Sequence, residues 1–287
     1  MRDAALQSLA VGFFDGVHLG HQAILRGADA ALTFRNHPLS VLVPEKAPRL
    51  IMSVDERVAA IKACGVGEVT VLDFTPEFAE MSADEFVREY LLAAKGRKGA
   101  QRICCGENWR FGKGGEGNAE WLRAKGFDVE IAPYVEYKGE RISSSRIRRC
   151  LENGEIEDAN AMMGRRFQVL GFRIQGKGLG KAIGYPTVNL KLEVLNLKLP
   201  LGVYEVEVEG QKAIVNYGLA PTMGDKAWRK NVLEVHLPED SPDSLDSLDS
   251  RSKLRVSFLR FIRPEKKFDS IDDLRRQIAA DCATIRT

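Results

Sequence analysis

The first 163 residues alternate short apolar runs with segments of helical periodicity. Five runs have the length and composition of buried strands, at residues 6–12, 31–34, 69–72, 102–105 and 129–132. Ser53 and Ser82 each precede a glutamate by three residues, the capping-box arrangement that satisfies free amides at a helix start. Helices are therefore predicted over 54–64 and 83–94, and another from about residue 18 to 30. Strands that alternate with helices predict an α/β domain with a mostly parallel sheet.

The pattern changes near residue 164, after two further predicted helices at 143–153 and 155–163. From there, β-rich segments separated by turn residues occupy 167–174, 203–208, 212–217, 232–237 and 254–261. This arrangement predicts a small antiparallel β-barrel or sandwich. A last helix, with apolar positions at helical spacing, is predicted over 270–285 and should pack on the barrel. We therefore expect two domains, 1–163 and 164–287.

Composition narrows the class of protein without naming a partner. Forty-two Lys and Arg against forty Asp and Glu give a net charge of +2, unlike the strongly basic footprint of a dedicated nucleic-acid binder. Five cysteines, an odd number without a Cys-x-x-Cys pair, argue against a disulfide framework and for a reducing cytoplasm. No apolar stretch approaches the roughly 20 residues of a membrane helix. We expect a cytoplasmic protein without nucleic-acid or membrane partners, and the oligomeric state is left open.

The first candidate site lies at residues 14–21, Phe-Asp-Gly-Val-His-Leu-Gly-His. His18 and His21 are three residues apart, so on a helix both imidazoles face the same way and can reach one ligand. A helix start after a glycine turn attracts phosphate through its free amides and its dipole. Gly20 allows a nucleotide to approach the backbone closely. This segment therefore predicts a phosphate-binding site.

The second candidate site combines a glycine-dense loop at 176–181 with residues 184–189, Gly-Tyr-Pro-Thr-Val-Asn. The glycines let several amides converge on phosphate, and Lys177 or Lys181 can neutralise its charge. A Walker A motif is excluded, because Gly178 stands where Ser or Thr should bind magnesium. On extended chain, Thr187 and Asn189 point to the same side and can hold one hard cation such as Mg²⁺.

These strings resemble those of a known family. The His-x-Gly-His string is similar to the motif of the nucleotidylyltransferase superfamily, and with Phe-Asp-Gly-Val before it resembles the bacterial bifunctional riboflavin kinases/FAD synthetases. Further similar strings lie at 33–38, 106–113 and 141–148. The segment 184–189 resembles the Pro-Thr-x-Asn motif of riboflavin kinases. The rest of the riboflavin kinase pattern is found at 216–222 and 232–237. The resemblance spans nearly the whole chain.

The resemblance implies a Rossmann-like nucleotidyltransferase domain followed by a riboflavin kinase barrel. It implies that riboflavin and ATP give FMN in the second domain, and that FMN and ATP give FAD in the first. For adenylyl transfer the implied nucleotide-binding residues are Gly12, Phe13, Asp15, His18, His21, Asn108, Arg141, Ser144, Ser145 and Arg148. For the kinase they are Gly176, Lys177, Gly178, Gly180, Lys181, Thr187 and Asn189, the last two with Mg²⁺. His18, His21 and Glu234 are the implied catalytic residues, Glu234 as the general base for the riboflavin hydroxyl.

Two departures from the family pattern leave alternatives open. Ser145 stands where the family has threonine, which keeps the hydroxyl and loses a methyl group. Only eleven residues separate His21 from Thr33, which is tight for the crossover between parallel strands. One alternative is therefore a monofunctional riboflavin kinase with an impaired adenylyltransferase domain. Another is a regulator that binds flavin or nucleotide without catalysis.

Overall fold

A computed structural model describes residues 8–92, 102–175, 180, 183–192, 199–219, 231–237 and 252–285. The chain divides into two compact units, Met1–Arg146 and Ile147–Thr287. The division after Arg146 falls inside the helix Ser144–Asn153. Most of this helix, and all of the next helix, Ile156–Met163, therefore belong to the second unit. The domain boundary between residues 163 and 164 stays a prediction.

The first unit is built on a five-stranded parallel sheet. Its strands are β1 (Ser8–Val11), β2 (Ala30–Phe34), β3 (Glu68–Leu72), β4 (Arg102–Gly106) and β5 (Asp128–Ala132). Their order is β3-β2-β1-β4-β5, and every neighbouring pair is parallel. The parallel sheet predicted from the alternation of strands and helices is confirmed. Because the order reverses between β1 and β4, a ligand crevice is expected beyond the carboxyl ends of these two strands.

Helices connect the strands of this sheet. They are α1 (Leu19–Leu25), α2 (Leu39–Leu42), α3 (Val54–Ala63), α4 (Pro76–Ala79), α5 (Ala83–Phe86), which continues as a π-helical segment Val87–Leu92, and α6 (Ala119–Ala124). Both predicted capping boxes form, at Ser53 with Glu56 and at Ser82 with Glu85. Local sequence therefore sets where α3 and α5 begin. Residues 93 and 94, the end of the predicted helix, lie outside the described part of the chain.

The short segment after His21 is accommodated by an early end to α1. The helix ends at Leu25, not near residue 30 as predicted, and Gly27 turns the chain with a φ of +77°. Asp29 then accepts hydrogen bonds from the amide and hydroxyl of Ser8, at 2.8 and 3.0 Å. These contacts join the start of β1 to the start of β2, and the two strands pair in parallel. The crossover therefore closes with a helix of seven residues.

The core of the first unit lies on both faces of the sheet. Along β1, Leu9 and Val11 belong to one buried cluster, while Ala10 belongs to the other. The same alternation holds for Ala31 between its neighbours in β2 and for Cys104 in β4. Strands buried on both faces read as continuous apolar runs, which explains the pattern in the sequence.

A short hairpin and a helix complete the path toward the second unit. The hairpin pairs β6 (Glu136–Tyr137) with β7 (Glu140–Arg141). Its turn residues, Lys138 and Gly139, both have positive φ, as a tight two-residue turn requires. Helix α7 (Ser144–Asn153) follows. The hairpin was not predicted, because strands of two residues leave no periodic signal.

The second unit is a closed antiparallel barrel with helices. After α8 (Ile156–Met163) come β8 (Phe167–Ile174), β9 (Val188–Leu192), β10 (Gly202–Val208), β11 (Gln211–Leu219), β12 (Asn231–His236), β13 (Lys253–Pro264) and helix α9 (Ile271–Ala283). The barrel order is β10-β11-β12-β9-β8-β13, with every neighbouring pair antiparallel. The predicted barrel is confirmed, and β9 is added to the predicted strands.

Helix α9 packs on the outside of this barrel, as predicted. Cys282 and Ile285 at its carboxyl end form a buried cluster with Val203 of β10 and Ile214 of β11. Asp281 of the helix also forms a half-buried ion pair with Arg263 of β13, at 2.6 Å. In the described part of the chain, no helix is long and apolar enough to cross a membrane.

Two candidate active sites

The loop after β1 holds an unusual backbone conformation. Phe14 and Val17 have φ values of +57° and +37°, and Gly16 between them has +83°. A left-handed conformation is strained for a β-branched residue, at a cost of about 1–3 kcal/mol. Burial of both side chains, each 1% exposed, offsets this cost. Strain of this kind is concentrated at binding and catalytic sites.

The two histidines of this loop form one stacked unit. His18 caps α1, and its Nδ1 accepts a hydrogen bond from the amide of His21 at 3.2 Å. The rings lie 3.6 Å apart at an angle of 17°. Because Nδ1 of His18 is an acceptor, the neutral ring carries its proton on Nε2. The two imidazoles lie together, as the prediction that they face the same way requires, but His18 precedes the helix as its cap, and the stacking of the rings was not predicted.

Both histidines are held neutral at physiological pH. Burial, together with the charge of Arg141, lowers the pKa of His18 to about 4. Burial, the positive charge that His18 would carry if it were protonated and the charge of Arg57 lower the pKa of His21 well below its usual range. Within the part of the chain that the structure describes, the buried Nδ1 of His21 has no hydrogen-bond partner. Neutral imidazoles carry no positive charge, so these two side chains can act as hydrogen-bond donors or acceptors.

Arg57 is a buried residue of this site that sequence reasoning did not identify. Its side chain is fully buried, and Nη2 donates to the carbonyls of Phe34 and Arg35 at the carboxyl end of β2. The guanidinium also lies 4.3 Å from the ring centroid of Phe13. Nε and Nη1 have no hydrogen-bond partner among the described residues. Arg57 therefore joins α3 to the ends of β1 and β2.

The resemblance implied that Asp15 binds the nucleotide, but in the structure its carboxylate is hydrogen-bonded within the protein. Its carboxylate is buried and accepts from the amide of Ile51 at 3.0 and 3.1 Å. Burial lowers the pKa of Arg57, and the negative charge of Asp15 opposes this effect. The negative charge of Asp15 therefore stabilises the positive charge of the buried Arg57 beneath the loop. Nucleotide binding by Asp15 stays a prediction.

We expect Arg57→Lys to destabilise the first unit by roughly 1–3 kcal/mol. Lysine keeps the charge opposite Asp15 but loses the planar fork that reaches two carbonyls and lies over Phe13. The measurement is chemical denaturation followed by tryptophan fluorescence in a Trp228→Phe background, in which the two remaining tryptophans, Trp109 and Trp121, both lie in this unit. The matched control is Arg35→Lys, because Arg35 is 59% exposed and pairs with exposed Asp73. Equal stability of the two variants would contradict the role given to Arg57.

Three further segments meet beside the histidine loop. The hydroxyl of Ser144, the first residue of α7, donates to the main-chain carbonyl of Asp15 at 2.8 Å. Asn108 follows β4 and accepts from the hydroxyl of Tyr134 at 3.3 Å. Arg141 ends β7, and its guanidinium lies 3.5 Å from the ring centroid of Tyr134. These contacts gather polar groups around the loop after β1 and the residues that follow β4.

The remaining predicted residues of the first site have the following places. The amide of Gly12 donates to Leu32 at 3.2 Å, and a Cβ there would lie 2.9 Å from the Phe14 ring. Ser145 is exposed at the start of α7, and Arg148 lies on the same helix within the second unit. Their roles toward a nucleotide stay predictions.

The second site is a row of polar side chains across three neighbouring barrel strands. Glu234 of β12 lies opposite Asn189 of β9 on one side and Asn216 of β11 on the other. The next residues, Leu233 and Val235, are fully buried in the barrel, so the row faces outward. Partial desolvation of the carboxylate and, after it, the charge of Glu265 raise the pKa of Glu234. Both effects favour a carboxylate that can accept a proton.

Thr187 and Asn189 flank the buried Val188, as predicted for oxygen ligands on the same side of an extended segment. A Cβ at Gly180 would meet the carbonyl of Tyr185 and lie 3.0 Å from the hydroxyl oxygen of Thr187. Only glycine fits in this contact, which brings the glycine-rich loop against Thr187. Gly176, Lys177, Gly178 and Lys181, the other predicted members of the loop, lie outside the described residues.

Two residues not among the predicted site residues support the row. His236 is buried, and its Nδ1 contacts the carbonyl of Pro186 at 2.9 Å, which holds the segment before Thr187. The carboxylate of Glu265 lies 2.5 Å from the point where a Cβ of Gly218 would stand. Glycine at this position therefore lets Glu265 approach the strand beside Asn216.

A cavity of about 400 Å³ lies near the carboxyl terminus of the chain. It is lined by residues 266–269 and by Asp273, Arg276, Gln277 and Ala280.

Comparison with known proteins gives one name for each part of the chain. The family model described as FAD synthetase matches residues 2–146, and the model described as riboflavin kinase matches residues 163–287. A bifunctional riboflavin kinase/FMN adenylyltransferase of Bacillus subtilis is 30% identical over 97% of this chain and 91% of its own. The protein of the same name from Haemophilus influenzae is 33% identical, over 97% of this chain and 93% of its own.

A solved structure has the same fold over nearly the whole chain. It is a crystal structure from Streptococcus pneumoniae whose name is macrolide-efflux protein. The TM-score is 0.83 at 31% sequence identity, and the match covers 99% of this chain and 94% of the other. The efflux name belongs to that protein, whereas the family models and the relatives above name two enzymatic activities.

Proposed function

The chain belongs to the family of bifunctional riboflavin kinase/FMN adenylyltransferases, and we propose how its residues divide the two reactions. The enzyme phosphorylates riboflavin to FMN with ATP and then adenylylates FMN to FAD. The match of the FAD synthetase model to 2–146 and of the riboflavin kinase model to 163–287 supports one reaction in each unit. The comparisons give no support to a chain with impaired adenylyl transfer.

Adenylyl transfer requires alignment and charge stabilisation rather than a nucleophilic side chain. The terminal phosphate of FMN attacks the α-phosphorus of ATP, and pyrophosphate leaves. His18 and His21, both neutral, donate hydrogen bonds to phosphate oxygens, and Arg141 and Arg148 neutralise charge. The stacked rings and the capping bond from His21 to His18 support this role, because they hold both imidazoles in one orientation.

In the kinase reaction, Glu234 acts as the general base. It takes the proton from the 5′-hydroxyl of riboflavin as that oxygen attacks the γ-phosphorus of ATP, and ADP leaves. The observation that carries this assignment is the row Asn189, Glu234 and Asn216 on three paired strands. The raised pKa of Glu234 makes its carboxylate a better proton acceptor near neutral pH.

The oxygen donors of Thr187 and Asn189 fit a magnesium ion. Mg²⁺ takes oxygen ligands and is commonly completed by substrate phosphates and water, so few protein ligands suffice. Gly180 leaves room at the hydroxyl of Thr187 that a side chain would fill. When bound there, Mg²⁺ would neutralise charge on the phosphates of ATP.

The location of the protein in a reducing cytoplasm stays a prediction.

One assay tests the assignment of both activities. The purified protein is incubated with riboflavin, ATP and MgCl₂, and the flavins are separated by chromatography. We expect FMN to form first and FAD to follow. Accumulation of FMN without FAD would support the monofunctional kinase, and riboflavin without any product would support a regulator. Omission of MgCl₂ with added chelator should stop FMN formation.

A further inference from the structure

Tyr134 connects two predicted nucleotide-binding residues that come from distant parts of the chain. Its hydroxyl donates to Oδ1 of Asn108, which follows β4, at 3.3 Å. Its ring carries the guanidinium of Arg141, which ends β7, 3.5 Å from the ring centroid. These contacts tie the crevice beyond β4 to the hairpin that carries Arg141.

The contact with Tyr134 limits the freedom of a long exposed side chain. A free arginine samples many rotamers, and fixing it on an aromatic face reduces the entropy lost when it grips a phosphate. The charge of Arg141 already acts on His18, whose pKa it lowers, so the guanidinium lies near the stacked histidines. Arg141 is therefore held between the Tyr134 ring and the phosphate-binding loop.

The chemistry of Tyr134 suits this position. The ring is 43% exposed, so its location is not explained by burial in the core. A hydrogen bond to the Glu107 carboxylate raises the pKa of Tyr134, so the phenol keeps its proton and remains a donor. Its single phenolic proton can go to Asn108 or to Glu107, and because these residues are neighbours after β4, either bond holds the hydroxyl at the end of that strand.

We propose that Tyr134 is a positioning residue for FAD formation, which orients Arg141 through its ring and Asn108 through its hydroxyl to receive the phosphates of ATP. This inference rests on the proposed function of Arg141 and Asn108. It adds a residue that neither the motifs nor the family resemblance singled out.

The test uses the full-length enzyme with supplied FMN and varied ATP. We expect Tyr134→Ala to raise the KM for ATP about fivefold with kcat within about twofold of the wild type. Tyr134→Phe keeps the ring and should raise the KM only about twofold, since it loses one hydrogen bond. Tyr137→Ala is the matched control, because Tyr137 lies in the hairpin that carries Arg141 but contacts Lys138 and Arg146 instead. Its KM should stay at the wild-type value.

A double-mutant cycle with Arg141→Ala separates positioning from a general structural effect. In the Arg141→Ala background, Tyr134→Ala should raise the KM for ATP only about twofold, because only the effect through Asn108 remains. A full fivefold effect in that background, or an equal loss in Tyr134→Phe and Tyr134→Ala, would overturn the proposal. A kcat for FAD formation close to that of the wild type reports that the first unit is folded in each variant, and FMN formation from riboflavin reports the same for the second unit. FAD formation by the wild type tests the proposed function separately from the role of Tyr134.

Discussion

Glu234→Gln is expected to slow FMN formation from riboflavin by about 10²- to 10⁴-fold, the contribution of a positioned general base. Glutamine keeps the size of the side chain and its place in the row between Asn189 and Asn216, but it cannot accept the proton of the riboflavin hydroxyl. FAD formation from supplied FMN should be unchanged, because Glu234 lies in the second unit. Both rates are measured on one preparation, so each reaction controls for the other.

The matched control for this variant is Glu209→Gln. Glu209 is an exposed carboxylate just before the start of β11, the strand that carries Asn216 further along. Its replacement should leave both rates at wild-type values. Equal loss of FMN and FAD formation in Glu234→Gln would contradict separate sites, and an unchanged rate of FMN formation would exclude Glu234 as the base.

The pH dependence of FMN formation gives an independent measurement of the same group. A general base must be deprotonated, so the rate falls as the pH drops through the pKa of Glu234. Because desolvation and Glu265 raise this pKa, the fall should begin at a higher pH than for an ordinary glutamate. The acidic limb should be lost in Glu234→Gln, whose residual rate no longer depends on this proton.

His21→Ala is expected to lower the rate of FAD formation by about 10²- to 10³-fold, the usual loss for one positioned donor to a developing negative charge. The change also removes the ring that stacks on His18 at 3.6 Å, while the main-chain amide of residue 21 can still donate to the capping side chain of His18. FMN formation should continue at the wild-type rate, since the kinase row lies in the other unit. The measurement is FAD produced from supplied FMN and ATP.

Two further variants distinguish the function of His21 from its effect on α1. His21→Gln retains an N–H donor and should recover part of the lost rate. Arg26→Ala changes an exposed residue at the end of the same helix and should leave the rate unchanged. If His21→Ala leaves FAD formation intact, the stacked pair has only a structural role.

Much of the fold could be predicted because its determinants are local. The capping boxes at Ser53 and Ser82 formed as expected, since the residues that satisfy the first amides are adjacent in sequence. The segment 167–174 is strand β8 over the predicted residues. Glu234 also lies on the predicted face, because strand periodicity places Leu233 and Val235 in the barrel and their neighbour outside.

The predictions that were wrong or incomplete depended on distant contacts. The end of α1 at Leu25 reflects the turn at Gly27 and the contact of Asp29 with Ser8, which no periodic pattern reports. Strand β9 is short and gains its definition from pairing with β8 and β12. The contact between the Asp15 carboxylate and the amide of Ile51 also depends on folding, while nucleotide binding by Asp15 stays a prediction.

The sequence by itself determined the two domain types, the proximity of His18 and His21 and the face of the strand on which Glu234 lies, because periodicity, caps and motif spacing act over a few residues. The tertiary structure alone decided that Arg57 is buried under the loop and that Tyr134 carries Arg141. It also decided that Asn189, Glu234 and Asn216 form one row. In each of these cases the partners are far apart in the chain, and their contact depends on strand order and register.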